Sequence, residues 1–210
     1  MAVRPTTLSE IYQMARDSYD EIWSIAKSYG RDVKLYLHWT AGRYDQYFYN
    51  PKTGKLDYHI AIDGEGNLFT DCDDLSEVRN HTWRRNSGSI GIVLNAAAGA
   101  SPDPAKGGLG DYAPTAAQIE SMSQVIAVLA NALDLTIDHY RVMTHGEAAD
   151  NKDGYYGAYG PEEQYGPETT CERWDVYLWH DDGTLRDGGD IFRGKANYYR
   201  NYWKENGTPY

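Results

Sequence analysis

Several protein classes are excluded by what this chain lacks. It contains only two cysteines, Cys72 and Cys171, which permits one disulfide bond but not the disulfide framework of a small secreted domain. Its 20 basic residues are scattered and are outnumbered by 31 acidic ones, which gives a formal net charge of −11. Because phosphate backbones are bound by clustered lysine and arginine, we expect no nucleic-acid partner.

Long apolar runs are also missing. No stretch approaches the roughly 18 consecutive apolar residues that cross a bilayer, so we expect no membrane span. The first residues, MAVRPTTLSE, lack the apolar segment of a signal peptide. We therefore expect synthesis in the cytoplasm, and any action outside it then requires a separate route of release.

Apolar periodicity predicts one mixed α/β domain. Helical spacing runs from Thr7 to about Lys27 and over about five turns after Thr115, and both segments begin with a capping-box pattern. Strand patterns occupy residues 33–39, 57–63, 89–95 and 137–145, and glycines in DGEGN predict a hairpin turn after the second strand. This mixture predicts a central mixed β-sheet flanked by helices.

The second half of the chain is less regular. Glycine and proline predict loops at 96–114 and 151–170, and the segment 171–179 resembles a short helix. We assign residues 1–179 to the main domain. Residues 180–210 are polar and rich in aromatic side chains, and we expect this C-terminal extension to pack on or near that domain. We expect the protein to be a monomer.

Two histidines stand at the ends of predicted strands. In KLYLHWTAG the alternation places His38 on the strand face opposite Leu35 and Leu37, and His145 closes the last predicted strand. A catalytic zinc site needs three ligands from His, Asp, Glu or Cys and one position for water. Each histidine taken alone more often has a structural role, and sequence spacing does not decide between the two.

Five segments in order carry a more specific signal. They are LHWTAG, DYHIAIDGEGNLF, NHTWRRNSGSIGIVLN, MTHGEAA and ERWDVYLW, from about Leu35 to Trp179. This set resembles the motifs of the zinc-dependent N-acetylmuramoyl-L-alanine amidases, which include phage amidase endolysins and peptidoglycan recognition proteins. The resemblance implies a mixed α/β fold with a Zn²⁺ site at the sheet edge. It also implies a bacterial peptidoglycan substrate, cleaved between N-acetylmuramic acid and L-alanine by zinc-activated water.

The implied zinc ligands, carried over motif by motif, are His38, His145 and Asp175. Asp175 follows Arg173 with one residue between, which resembles the family's K-x-D or K-x-C pattern. Cys171 stays open as an alternative third ligand, because the segment after His145 is longer than in compact family members. Free cysteine also packs well as a small buried residue, which is the structural interpretation of Cys171.

The resemblance also implies catalytic roles. Arg173 stands where the family commonly has a lysine that stabilises the negative oxygen formed during attack on the amide, although a surface ion pair also fits it. Val93 replaces a glutamate that some members carry, so Tyr58, otherwise an ordinary strand tyrosine, is expected to hold the water or the scissile carbonyl. Glu147, two residues after His145, is expected to support the site or cap the next segment rather than transfer a proton.

The predicted substrate-binding residues are His81, Thr40 and Asn95. His81, in NHTW, matches a family histidine near the substrate, although a structural loop histidine fits the sequence equally. Two other function classes stay open. A non-catalytic peptidoglycan-binding module would keep the fold but typically lacks the third ligand, and a thiol peptidase would use Cys171 as its nucleophile. We expect a role like that of a phage endolysin, released to the cell wall. A cytoplasmic recycling amidase and a delivered toxin stay open as alternatives.

Overall fold

The structure is a computed structural model of the 210-residue chain, and it describes residues 2–149 and 174–210. The described α-helices are Leu8–Asp17 (α1), Tyr19–Ser28 (α2), Ala116–Ala132 (α3), His145–Ala149 (α4) and Gly189–Asn206 (α5). The strands are Arg4–Pro5 (β1), Lys34–Trp39 (β2), Ile60–Ile62 (β3), Leu68–Thr70 (β4), Ser89–Leu94 (β5), Val142–Thr144 (β6), Tyr177–Trp179 (β7) and Leu185–Asp187 (β8). None of the described helices has the length and apolar character needed to cross a membrane.

Six of the strands form one mixed sheet in the order β1-β4-β3-β5-β2-β6. The strands β3, β5, β2 and β6 run parallel, whereas β4 pairs antiparallel with both β3 and β1. The DGEGN turn therefore joins β3 and β4 in the predicted hairpin. Because the four parallel strands end at the same edge of the sheet, the residues at their carboxyl ends collect there.

The two faces of the sheet have different partners. Leu35 and Leu37 of β2 belong to the main hydrophobic core, together with apolar residues of α1, α2 and α3. Alternation places Tyr36 and His38 on the opposite face, and every residue of β2 is buried. The predicted fold class, a mixed sheet flanked by helices, is confirmed.

The C-terminal residues form a hairpin and a long helix. The helix α5 contributes Phe192, Ala196 and Trp203 to the main hydrophobic core and packs against α3. Arg200 of α5 also donates a hydrogen bond of 2.7 Å to the Leu135 carbonyl, just after α3. The domain boundary predicted after residue 179 falls inside the β7–β8 hairpin. The strand β7 lies before this boundary, whereas its partner β8 and the helix α5 lie after it.

The N-terminal helical segment, predicted as a single helix, consists of two helices that meet at Ser18. Its hydroxyl donates to Asp74 Oδ1 at 2.8 Å and accepts from the Leu75 backbone N–H at 2.9 Å. These bonds tie the junction to a distant loop. Helical periodicity alone misses the break, because Ser18 serves both helices. Its N–H bonds the Met14 carbonyl at the end of α1, and its carbonyl accepts from Ile22 N–H at the start of α2.

The short helix predicted for residues 171–179 is wrong where the structure describes this segment. Tyr177–Trp179 form β7, which pairs antiparallel with β8. Val176 has a φ of 58°, in the left-handed region, and this conformation interrupts any helical path into the strand. Residues 171–173 and the predicted loop at 151–170 lie outside the described residues.

The strand predicted at 137–145 is shorter in the structure. Only Val142–Thr144 form a strand. The Asp138 carboxylate accepts hydrogen bonds of 3.0 Å from the backbone N–H groups of Tyr140 and Arg141, which fixes a turn where the strand was expected to begin. His145 follows the strand and opens α4.

A buried histidine beside the sheet makes the stability pH-dependent. His59 Nδ1 accepts a 3.0 Å bond from Gly91 N–H, so its proton lies on Nε2, 2.8 Å from the Glu77 carbonyl. Burial lowers the pKa of His59 to about 4. The unfolded chain, with an ordinary histidine pKa of about 6.5, therefore binds this proton first as the pH falls.

We expect His59 to remove about 2 kcal/mol of unfolding free energy between pH 7.5 and pH 5. The stability is fully present above the unfolded pKa and is lost as the pH falls toward the folded pKa. Denaturant unfolding across this range should show a shallower pH slope for His59→Gln, whose amide donates and accepts but does not titrate. Equal slopes for the two proteins would contradict this assignment.

Candidate metal centre

The strand register brings two distant histidines together. The strands β2 and β6 are parallel, with Leu35 opposite Val142 and Leu37 opposite Thr144. The next residue on each side is a histidine, His38 or His145, so both emerge at the same edge of the sheet. Their Nδ1 atoms lie 3.1 Å apart.

Asp175 completes the cluster from the segment before β7. Its Oδ2 atom lies 3.4 Å from His38 Nδ1 and 3.6 Å from His145 Nδ1. The three residues are all buried, with 0%, 7% and 7% of the surface of His38, His145 and Asp175 exposed. They form a group of metal-ligating side chains within the described part of the chain.

The geometry and chemistry of these donors fit zinc. Around a tetrahedral zinc ion with bonds of about 2.0–2.1 Å, neighbouring ligand atoms lie about 3.3 Å apart. The observed separations of 3.1, 3.4 and 3.6 Å are close to that value. Burial by itself would raise the pKa of Asp175, but its contacts with His145 and His38 hold that pKa well below its usual value. The carboxylate is therefore ionised and ready to bind a cation.

A hydrogen-bond chain lies behind the first of these ligands. Thr82 Oγ1 is 3.3 Å from His38 Nε2 and 2.9 Å from His81 Nδ1. Burial lowers the pKa of His81 well below its usual value, so its ring is neutral and its Nδ1 can accept a hydrogen bond. A consistent chain then runs from His38 Nε2–H to the Thr82 hydroxyl and from that hydroxyl to His81. With a metal ion bound, this arrangement would place the His38 proton on Nε2 and leave Nδ1 as the ligand atom.

Thr82 is therefore expected to set the tautomer and orientation of His38. Thr82→Val removes the hydroxyl at nearly constant shape, and we expect it to weaken zinc binding about 10–100-fold. Thr82→Ser keeps the hydroxyl and should bind zinc nearly as well as wild type. Competition with a chromophoric chelator measures both affinities, and equal affinity for the Val and Ser variants would contradict this role.

The His81 ring packs closely against Gly91 of the sheet. A Cβ atom on Gly91, in β5, would lie 2.7 Å from ring carbons of His81, so a side chain there is not accommodated without displacing the ring. His81 and His145 also line one open pocket of about 380 Å³ with Trp83 and Arg84. The predicted substrate residue His81 thus lies beside a metal-ligand candidate, and its Nδ1 bonds Thr82.

Tyr58 lies next to the same cluster. It is half-buried just before β3, and its ring centroid is 5.1 Å from that of His38. Two residues earlier, the backbone of Leu56 is held by two hydrogen bonds. Its N–H donates to Asp71 Oδ2 at 2.8 Å, and its carbonyl accepts from Arg79 at 2.9 Å. The segment that carries Tyr58 is thus anchored by a buried ion pair.

The other two predicted substrate residues lie deeper in the fold. Thr40 is 2% exposed, and its hydroxyl accepts hydrogen bonds from the N–H groups of Ala96 and Gly42. Asn95 is fully buried, and its backbone bonds Ile62 and Gln118. The Thr40 hydroxyl thus has a local structural role, and substrate contact by either residue stays a prediction.

Glu147 is held in a supporting arrangement. Both of its carboxylate oxygens accept from Arg193 at 2.8 Å, and one also accepts from Thr144 N–H at 3.0 Å. Whether Glu147 supports the site or transfers a proton stays a prediction. Arg173 and the alternative ligand Cys171 lie outside the described residues.

The sequence analysis assigned no role to Thr82 or to Arg193. Thr82 belongs to the quoted NHTW motif, where a hydroxyl directly after a candidate histidine is the available signal. Arg193 has no such signal, because it lies 46 residues from its partner Glu147 in a segment without motifs.

One family of known proteins matches this chain. A family model described as N-acetylmuramoyl-L-alanine amidase matches residues 30–155, which is more than half of the chain and includes His38 and His145. The chain therefore belongs to the N-acetylmuramoyl-L-alanine amidase family and is a peptidoglycan amidase, as the motifs indicated. No curated protein and no solved structure gives a match. Asp175 lies beyond the matched residues, so its assignment depends on the geometry described above.

Proposed function

We propose that this amidase hydrolyses the amide between the lactyl group of N-acetylmuramic acid and L-alanine, with a zinc ion held by His38, His145 and Asp175. The observation that supports it best is the buried convergence of two Nδ1 atoms and one carboxylate oxygen within 3.6 Å of one another. A non-catalytic binding module of this fold typically lacks the third ligand.

A zinc ion held by these three residues would supply Lewis-acid chemistry, that is, polarisation of a carbonyl and a bound water acidic enough to act as a nucleophile near neutral pH. The chain contributes the rest. His38 and His145 would offer imidazole nitrogens to the ion, and the Asp175 carboxylate would offset part of its charge. The Thr82 hydroxyl, 3.3 Å from His38 Nε2, would keep the proton of His38 on that nitrogen when the ion is bound.

Two side chains are proposed to act on the reacting amide. The Tyr58 hydroxyl donates to the carbonyl oxygen as negative charge develops on it, and the Arg173 guanidinium adds positive charge nearby. Glu147 does not take part in proton transfer, because its oxygens are bonded to Arg193 and to the backbone. The leaving amine takes the proton that the attacking water gives up, by way of solvent water or a nearby group.

The pocket beside the metal centre is proposed to receive part of the substrate. It is open, and Trp83, whose side chain is largely solvent-facing, presents an apolar ring suited to stacking on a sugar or peptide. The adjacent Arg84 offers a positive charge to carboxylates of the substrate. Both contacts lie within the segment that also carries His81 and Thr82.

Digestion of purified peptidoglycan tests this proposal. Mass spectrometry should find peptides with a free alanine amino terminus and glycan strands with free lactyl carboxylates. New reducing sugars, or cleavage within the peptide, would contradict the assigned bond. Wall binding without any release would show a binding module.

One variant distinguishes the proposed zinc amidase from the thiol-peptidase alternative. Cys171→Ser removes the thiol and should keep hydrolysis near the wild-type rate, because a zinc-dependent reaction does not use it. Loss of hydrolysis in Cys171→Ser with normal folding would move the catalytic role, or the third ligand, to Cys171.

A further inference from the structure

The C-terminal helix reaches the base of the metal centre through one buried arginine. Arg193, in α5, is 7% exposed and donates to both Glu147 carboxylate oxygens at 2.8 Å. The same guanidinium donates to the Val142 carbonyl at 2.9 Å and to Asp190 at 2.8 Å. Arg193 thus joins the first residue of β6 to α4 in a bidentate, charge-assisted arrangement.

These contacts hold the turn that presents His145. Thr144 Oγ1 accepts from Glu147 N–H at 3.1 Å, and Glu147 accepts from Thr144 N–H at 3.0 Å, which is a capping box at the start of α4. The Thr144 hydroxyl also bonds Asp187, at the end of β8, at 2.5 Å. His145 is the first residue of α4, so the capping box sets its backbone position.

Gly189 allows the arginine to come this close. A Cβ atom there would lie 2.8 Å from both terminal nitrogens of Arg193 and from Glu147 Oε1. Glycine at this position therefore leaves space for the bidentate pair. At the start of α5, the Asp187 carboxylate also accepts a hydrogen bond of 2.7 Å from Gly189 N–H.

We propose that Arg193 is a positioning residue for the metal centre. It acts through Glu147 and the Thr144 cap, and it holds His145 Nδ1 at the distance from His38 and Asp175 that binding of zinc requires. The family match ends at residue 155, so this contact adds a part of the C-terminal extension to the site. The inference rests on the proposed zinc site.

Zinc affinity and folding stability, measured separately, test this role. We expect Arg193→Met to weaken zinc binding by about 10-fold, the lower end of the range for direct partners of metal ligands, because Arg193 acts through Glu147 and the Thr144 cap. Arg193→Lys keeps the charge but loses the planar fork, so its affinity should lie between those of Met and wild type. Cobalt substitution should show a changed visible spectrum for Arg193→Met, because the ligand geometry changes.

Arg200→Met is the matched control. Arg200 is on the same helix and donates to a backbone carbonyl, but that carbonyl belongs to Leu135, near the end of α3. We expect Arg200→Met to lose stability and to keep wild-type zinc affinity and the wild-type cobalt spectrum. Equal weakening of zinc binding by Arg200→Met would mean that only general destabilisation is at work, and would overturn the inference.

A second variant keeps the test valid if Arg193→Met does not fold. Gly189→Ala leaves Arg193 in the chain but places a methyl group against its guanidinium, and zinc binding should weaken. Unchanged zinc affinity in Arg193→Lys and Gly189→Ala would also overturn the role. A wild-type protein that binds no zinc would instead refute the proposed zinc site, which distinguishes the two failures.

Discussion

Asp175→Asn is expected to abolish tight zinc binding and peptidoglycan hydrolysis together. The substitution keeps the side-chain shape but removes the charge that faces His38 Nδ1 and His145 Nδ1 at 3.4 and 3.6 Å. Because a ligand is lost, zinc affinity should fall by more than the roughly 100-fold seen for supporting residues. Competition with a chelator measures the zinc affinity. Release of alanine amino groups from purified wall measures the hydrolysis.

Asp182→Asn is a suitable control for that variant. Asp182 lies in the turn between β7 and β8, is exposed, and pairs with Arg186. Its loss removes the same charge from the protein at a site away from the described ligand cluster, so zinc binding and hydrolysis should stay near wild type. Retention of both properties in Asp175→Asn would refute Asp175 as the third ligand and direct attention to Cys171.

Tyr58→Phe has the second largest expected effect, and it is on the rate alone. If the hydroxyl stabilises the developing oxyanion, its removal should lower kcat about 10²–10³-fold, the usual cost of losing one such donor. The ring remains beside His38, at a centroid distance of 5.1 Å, so zinc affinity should be unchanged. Steady-state kinetics with a soluble muropeptide and a parallel zinc titration separate the two quantities.

Tyr47→Phe provides the comparison for this variant. Tyr47 packs on the same apolar cluster as Tyr58, with its ring 5.7 Å from that of Phe69. Removal of its hydroxyl should leave kcat nearly unchanged. A Tyr58→Phe enzyme with wild-type kcat would show that the tyrosine is only a packing residue of the strand, as its sequence context alone suggested.

The sequence carried enough information for the architecture because burial follows local periodicity. Alternation around Leu35 and Leu37 predicted β2 and its core face, and the glycines of DGEGN predicted the β3–β4 hairpin. The predictions that failed concern where elements begin and end. Ser18 separates α1 from α2, and its hydroxyl bonds Asp74, a long-range contact that leaves no trace in helical spacing.

The site was predictable only in part for a related reason. His38 and His145 were identifiable as polar residues at strand ends, but their meeting depends on the parallel register of β2 and β6. Asp175 required the family motif, since nothing in its own spacing links it to either histidine. Arg193 could not be found, because its role follows from how α5 packs beside α4 and not from any local pattern.

The zinc dependence of hydrolysis is the most direct measurement to make. Wild-type protein freed of metal by a chelator should release no alanine amino groups from purified wall. Activity should return in proportion to added zinc and saturate at about one ion per chain, as a single three-ligand site requires. Full activity in the metal-free protein would contradict the assignment of His38, His145 and Asp175 as a catalytic zinc centre.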